Sequence, residues 1–262
     1  MVGRLRAAGC VFAEDEAQLL LEAASSDEQL ADMVGRRVDG FPLEQILGWA
    51  EFSGLRILVD PGVFVPRRRT ELLVTEALRL VTGRPAGAAP LTVVDLCCGS
   101  GALGVALTSA LPEPVDLHAA DIDPAAVRCA RRNVEPVGGQ VHEGDLFAAL
   151  PVTLRGRVDL LLANTPYVPH DAIATLPPEA RLHEPAQALD GGGDGLDVQR
   201  RVVAAAIEWL APGGHLLVET SEEQAPVAME VFRAAGLEAH VRSDEERGAT
   251  VVVGTRAAAA RP

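Results

Sequence analysis

Between Leu91 and Thr255 one pattern repeats: a short apolar run, a stop rich in Asp, Gly or Pro, then a longer stretch with helical spacing. Strands that alternate with helices pair in parallel, because each return to the same edge needs a crossover, and the sheet they build is covered on both faces. The runs predict strands at Leu91–Leu96, Val115–Asp121, Gln140–Glu143, Val158–Ala163, His215–Glu219, Glu238–Arg242 and Thr250–Thr255. Helices are predicted near Ala102–Leu111, Pro124–Val134, Leu196–Leu210 and Glu222–Ala235. The third has Leu196, Val203, Ile207 and Leu210 at helical spacing, and Pro212-Gly213-Gly214 stops it.

The last two runs depart from the pattern. Only a charged connection too short for a helix joins them, so they pair antiparallel. A doubly wound NAD-binding sheet normally keeps its strands parallel, whereas a reversed seventh strand is what Rossmann-like methyltransferases carry. Upstream, residues 1 to about 40 read as helical, with CVFAEDEAQLLLEAA setting an apolar stripe opposite acidic residues. FSGLRILVDPGVFVP reads as two β runs turning at Asp60-Pro61-Gly62, and TGRPAGAAP, residues 82 to 90, as a linker or loop. The expected organisation is a helical region with a β-hairpin over 1–75 and a main domain over 76–262, ending in a frayed AAAARP tail.

Composition narrows the function classes. At 48% hydrophobic and 23% charged, the chain reads as a soluble globular protein. No apolar run reaches the roughly 18 residues that span a bilayer, and no basic-then-apolar signal opens the chain, so the expected location is the cytoplasm with no membrane partner. A net charge of −14 disfavours direct nucleic-acid binding. Its one basic cluster, Arg67-Arg68-Arg69, is either a local patch or a solvated turn. Four scattered cysteines give neither a disulfide framework nor a metal-ligand spacing, so no metal is expected.

The first strand leads into VVDLCCGSGALGVAL, where Cys97, Cys98, Gly99, Ser100 and Gly101 form a loop ahead of a helix, suited to close approach of a ligand to backbone amides. Asp95, ahead of the glycines, would repel a pyrophosphate and welcome a cationic group. Asp121 follows Gly101 by 20 residues, the interval at which a carboxylate commonly receives ribose hydroxyls; the alternative is a helix cap, which Asp123 before Pro124 fits better. After the third strand Asp145 can accept from an exocyclic amine, or cap the next turn, while Leu146 or Phe147 covers a base face. Three carboxylates at successive strand ends describe a nucleoside that carries positive charge. S-adenosylmethionine answers that description better than NAD.

The fourth strand delivers Asn164-Thr165-Pro166-Tyr167 to the carboxyl edge of the sheet, where such folds bind ligands. Methyl transfer to an amide nitrogen needs that poor nucleophile oriented and its developing charge met. Two acceptors aimed at its two hydrogens do both, and the Asn164 side-chain oxygen and the Thr165 carbonyl can supply them. Pro166 holds Thr165 extended, and Tyr167 can lie against a planar group. The competing reading is a simple turn after a strand.

Taken in order, FPLEQILGWAEFSGL, VFVPRRRTELLV, DLCCGSGALGVAL, ADIDPAAVRCARRN, GDLF, NTPYVP, HEPAQALDGGGDGLDVQRRVVAAA and LAPGGHLLVET resemble the protein-(glutamine-N5) methyltransferases of the HemK/PrmC type, from about Gly40 to Arg256. The resemblance implies a class I, seven-stranded methyltransferase sheet and S-adenosylmethionine held by Cys97 to Gly101, Asp121, Asp145, Leu146 and Asn164. It implies a substrate amide held by Asn164 through Tyr167, with Glu184 and Pro185 shaping the entrance. The implied acceptor is the Gly-Gly-Gln glutamine of a peptide-chain release factor, with a ribosomal protein as another candidate. Thr165 stands where that family has proline, Arg67-Arg68-Arg69-Thr70 replaces its Arg-Pro-x-Thr, and the helical region is shorter than its usual one. Alternative functions are methylation of a nucleobase amine or a small amide, and cofactor binding without turnover.

Overall fold

The computed structural model describes residues 1–82 and 89–258; most of the expected linker and the end of the expected tail lie outside them. Helices α1 (Val2–Ala7), α2 (Ala13–Ala23), α3 (Asp27–Val38) and α4 (Leu43–Leu47) come first. They gather Leu5, Ala13, Ala17, Leu20, Met33, Val34 and Ile46 into a small core of their own. The apolar stripe of α2 is present, but Glu16 lies on it, held there by Arg37 at 2.6 Å.

A hairpin of β1 (Trp49–Phe52) and β2 (Leu55–Leu58) follows, and then α5 (Glu71–Val81). The hairpin expected at Asp60-Pro61-Gly62 is displaced. The chain reverses at Ser53 and Gly54, both at positive φ, so Phe52 pairs with Leu55, and Asp60 to Val63 makes only a local turn. The division drawn between residues 75 and 76 runs through α5, whose Leu72, Leu73, Val74 and Ala77 pack into the core of the main sheet.

The remaining elements are β3 (Leu91–Leu96), α6 (Ala102–Ala110), β4 (Val115–Asp121), α7 (Pro124–Val134), β5 (Gln140–Glu143), β6 (Val158–Ala163), α8 (Pro178–His183), α9 (Ala186–Leu189), α10 (Asp197–Trp209), β7 (Leu210–Thr220), α11 (Ala225–Ala234), β8 (Glu238–Asp244) and β9 (Ala249–Thr255). Seven strands form one sheet in the order β5-β4-β3-β6-β7-β9-β8. The first five pair in parallel, and β9 runs antiparallel to both β7 and β8. The fifth strand begins earlier than its apolar run: Leu210 already pairs with Val158, and a register shift absorbs Pro212 to Gly214 before His215 pairs with Leu160.

Alternation sends Val93, Leu160, Leu162 and Leu217 to one face, under α5, α6 and α7. Val94, Leu161, Ala163 and Val218 go to the other, under α10 and α11. Burying each such Leu or Val stabilises the fold by roughly 1.5–3 kcal/mol. Strand order reverses between β3 and β6, and in open α/β sheets the carboxyl ends of such a pair frame the ligand crevice.

Candidate active site

A cleft of about 710 Å³ opens at that point. Its walls include Cys97 to Ser100 after β3, Asp121 and Ile122 after β4, Asp145 and Leu146 after β5, and Asn164 to Tyr167 after β6. Strands β3, β4, β5 and β6 each contribute residues at their carboxyl ends, which is why Cys97 and Asn164 meet at one site. Of the expected residues, Asp95, Gly101, Phe147 and Glu184 stay off the cleft surface, whereas Pro185 lies on it.

Asp95 is fully buried beneath the loop, where its Oδ2 accepts from the Gly104 N–H at 2.9 Å and its Oδ1 has no partner. Burial pushes its carboxyl up to about 8 against the opposing Gly104 bond, with the Asp121 charge adding to the rise. It braces the start of α6 rather than facing a ligand. Gly101, at φ +79, lets α6 meet α7: a Cβ there would stand 2.6 Å from Val134 Cγ2.

Asp121 lines the cleft at the end of β4. Its Oδ2 accepts from the Gly99 N–H at 2.8 Å and its Oδ1 from the Asp123 N–H at 2.9 Å, so it holds the loop while lining the cleft. Burial raises its pKa, and the two backbone bonds oppose that rise. The capping role belongs to Asp123, whose Oδ1 accepts from the Ala125 N–H at 2.8 Å. Asp145 pairs with Arg201 at 2.5 Å, leaving Oδ1 for a ligand. Leu146 reaches the cleft at φ +49, whereas Phe147 turns away to stack on Trp209 at 5.3 Å. Cys97 also sits at positive φ, so two cleft residues hold sparsely populated backbone conformations. Burial lifts both Cys97 and Cys98 thiols far above their usual range, so they stay neutral where they line the cleft.

The acceptor side is built around Asn164. Its Nδ2 donates a long bond to Thr70 Oγ1 at 3.4 Å, and among the described residues Oδ1 has no protein partner. Thr165 is 1% exposed, and its hydroxyl is buried without a partner. Behind it residues 189–191 are zipped to Val168, the residue after Tyr167: Val168 N–H donates to Leu189 O at 3.0 Å, and Gly191 N–H to Val168 O at 2.9 Å. A Cβ at Gly195 would stand 2.2 Å from Tyr167 O, so no other residue fits there.

Sequence reasoning overlooked several residues. Asn133, 8% exposed, accepts from Leu58 N–H at 2.9 Å and donates to Leu58 O at 2.9 Å and Ser100 O at 2.8 Å, tying the hairpin to the glycine loop. Of the arginine cluster, Arg67 pairs with Glu184 at 2.5 Å and Arg69 with Glu219 at 3.0 Å, so it is no simple solvated turn. Glu184 and Glu219 are both buried, each reaching the cleft through its arginine partner. A carboxylate at the end of a strand is the same signal that marks Asp121, and it would have found Glu219.

The reversed β9 separates this sheet from a dinucleotide-binding one. Fold and site together define a Rossmann-like methyltransferase, and residues 54–235 match the family profile described as Methyltransferase small domain. The release factor glutamine methyltransferase of Geobacter sulfurreducens is 41% identical over 226 residues, 86% of this chain and 76% of that protein. The 4-amino-L-phenylalanine/4-methylamino-L-phenylalanine methyltransferase of Streptomyces pristinaespiralis is 39% identical over 212 residues, covering 80% of this chain and 71% of that one. A methyltransferase crystal structure from Pyrococcus furiosus shares the fold at TM-score 0.55 and 16% identity, covering 78% of this chain and 90% of that one. The chain belongs to the release factor glutamine methyltransferase family.

Proposed function

We propose that the protein transfers a methyl group from S-adenosylmethionine to the side-chain nitrogen of a glutamine in a protein, the Gly-Gly-Gln glutamine of a peptide-chain release factor. The observation that carries this reading is Asn164: a side chain held by Thr70 with its Oδ1 free, at the strand end beside the glycine loop. A cleft of about 710 Å³ is in the usual range for a small-molecule site and fits a nucleoside cofactor with an amide beside it. Asp121 would receive the ribose, Leu146 and Ile122 would cover the base, and Asp145 Oδ1 would accept from its amine. S-adenosylmethionine supplies an electrophilic methyl on a sulfonium.

On the other side Asn164 Oδ1 and the Thr165 carbonyl would accept from the two amide hydrogens, orienting the nitrogen and stabilising the charge it develops. One of those protons then leaves to water, so no titrating base is needed.

The protein partner would be met by the N-terminal helices. Arg37 of α3 pairs with Glu179 of α8 at 2.9 Å, and Phe41 stacks on His183 at 4.0 Å, so those helices reach the segment that borders the cleft. The test is transfer of labelled methyl to purified release factor and to the same factor with its Gly-Gly-Gln glutamine changed to alanine. Label on the first alone is the expected result. Label on neither rejects the reading, and label on free 4-aminophenylalanine instead would give the protein the acceptor of its S. pristinaespiralis relative.

A further inference from the structure

Tyr167 is held at both ends, by the end of β7 and by the residue that precedes α11. Its hydroxyl donates to Glu219 Oε1 at 3.1 Å, and its carbonyl accepts from Gln224 Nε2 at 2.9 Å. Glu219 Oε1 also accepts from Arg69 Nε at 3.0 Å, and the Arg69 guanidinium lies 5.7 Å from the Tyr167 ring centroid. Tyr167 and Arg69 line the cleft, while Glu219, 1% exposed, reaches both from behind.

Stability does not account for this arrangement. Removing a carboxylate from water is costly, and well-packed apolar side chains of similar volume are often at least as stable as a buried ion pair. Glu219 also keeps Oε2 buried with no partner among the described residues, a further cost. What the arrangement provides is a fixed aromatic wall. A tyrosine anchored only by its backbone can change χ1, whereas one whose hydroxyl is held by a paired carboxylate cannot without breaking a charge-assisted bond.

We infer that Glu219 is a positioning residue for methyl transfer: with Arg69 as its counter-charge, it grips the Tyr167 hydroxyl and sets the ring as the wall against which the acceptor amide is aligned. The inference rests on the proposed function for what the wall aligns, but the grip itself can be tested without turnover. Glu219 touches neither substrate nor cofactor in this scheme, so it acts on kcat and leaves cofactor affinity alone.

Two readouts separate the grip from the reaction. In the first, Glu219→Gln, Tyr167→Phe and the double variant are compared for methyl transfer to release factor. Displacing a group by about an ångström costs on the order of 10- to 100-fold, so each single variant should lose that much kcat with KM within about threefold, and the double variant should lose no more than the worse single. Additive losses would overturn the inference, as would a loss confined to KM.

The second readout uses the fact that Tyr167 is the chain's one tyrosine, so a protein carrying ¹³Cζ-tyrosine gives a single resonance to follow against pH. Burial and then the Glu219 charge hold the phenol above its usual range, so the wild-type resonance should stay put through the pH at which a free tyrosine titrates. In Glu219→Gln it should move at lower pH. Identical curves would overturn the grip even if wild-type protein labels no release factor, a result that would count against the proposed function alone.

Discussion

Replacing Asn133 with alanine removes three hydrogen bonds at once, to Leu58 N–H, Leu58 O and Ser100 O. At about 1 kcal/mol net each they contribute about 3 kcal/mol, and orphaning the carbonyl of Ser100 adds up to about 2 kcal/mol. Ser100 itself is 2% exposed, so water does not readily replace the lost donor. A loss of about 3–5 kcal/mol in a domain of this size lowers Tm by about 6–20 °C. The glycine loop keeps its other ties, Cys98 N–H to Ala120 O at 3.1 Å and Gly99 N–H to Asp121, so it loosens rather than collapses. If about 1 kcal/mol of that loss falls on loop order, cofactor affinity drops about fivefold. Thermal unfolding followed by circular dichroism, with calorimetric titration of S-adenosylmethionine, measures both. A Tm within about 2 °C of wild type together with unchanged affinity would refute the claim that Asn133 ties the hairpin to the loop.

Asp121→Ala should weaken cofactor binding by about 10- to 100-fold, the loss of charge-assisted ribose bonds, while kcat at saturating cofactor stays within about threefold; unchanged affinity would remove Asp121 from the ribose site. Burial lifts Asp95 from 3.8 to about 8, so its contribution to stability is complete below pH about 4 and is lost as pH rises through 8. Wild-type Tm should therefore fall relative to that of Asp95→Asn between pH 6 and 9, and parallel curves would contradict that protonation. Gly195→Ala forces a Cβ into the Tyr167 carbonyl at φ +80, and should cost about 2 kcal/mol or more and at least tenfold in turnover with cofactor affinity nearly kept; wild-type kinetics would show the Asn-Thr-Pro-Tyr segment tolerates that shift.

The bounds of β3, β4, β5 and β6 were legible to the residue: β3 and β6 are short apolar runs buried on both faces, and the polar edge strand β5 is bounded by the glycines on either side. The glycine loop, Asp121 and Asn164 were legible for a related reason: the fold exports the residues at strand ends to one edge, so adjacency in space follows from position in each strand. The hairpin was misplaced because Asp60-Pro61-Gly62 is the stronger turn signal in sequence, whereas the real turn asks Ser53 for a positive φ that its side chain does not advertise. Asp95 carries the right charge for a cation site, but six strand positions in a row are buried, and its carboxylate ends under the loop. Asn133 and Thr70 act across 33 and 94 residues, through contacts that exist only once α7 and α5 have packed. No local pattern encodes such a contact.

The most direct measurement is peptide mapping of release factor after incubation with S-adenosylmethionine and either the wild-type protein or Asn164→Ala. The account predicts one methyl on the Gly-Gly-Gln glutamine with wild type, and transfer reduced by about 10²-fold or more in the variant while its cofactor affinity stays within about tenfold. A methyl on any other residue, or the same yield from Asn164→Ala, would contradict it.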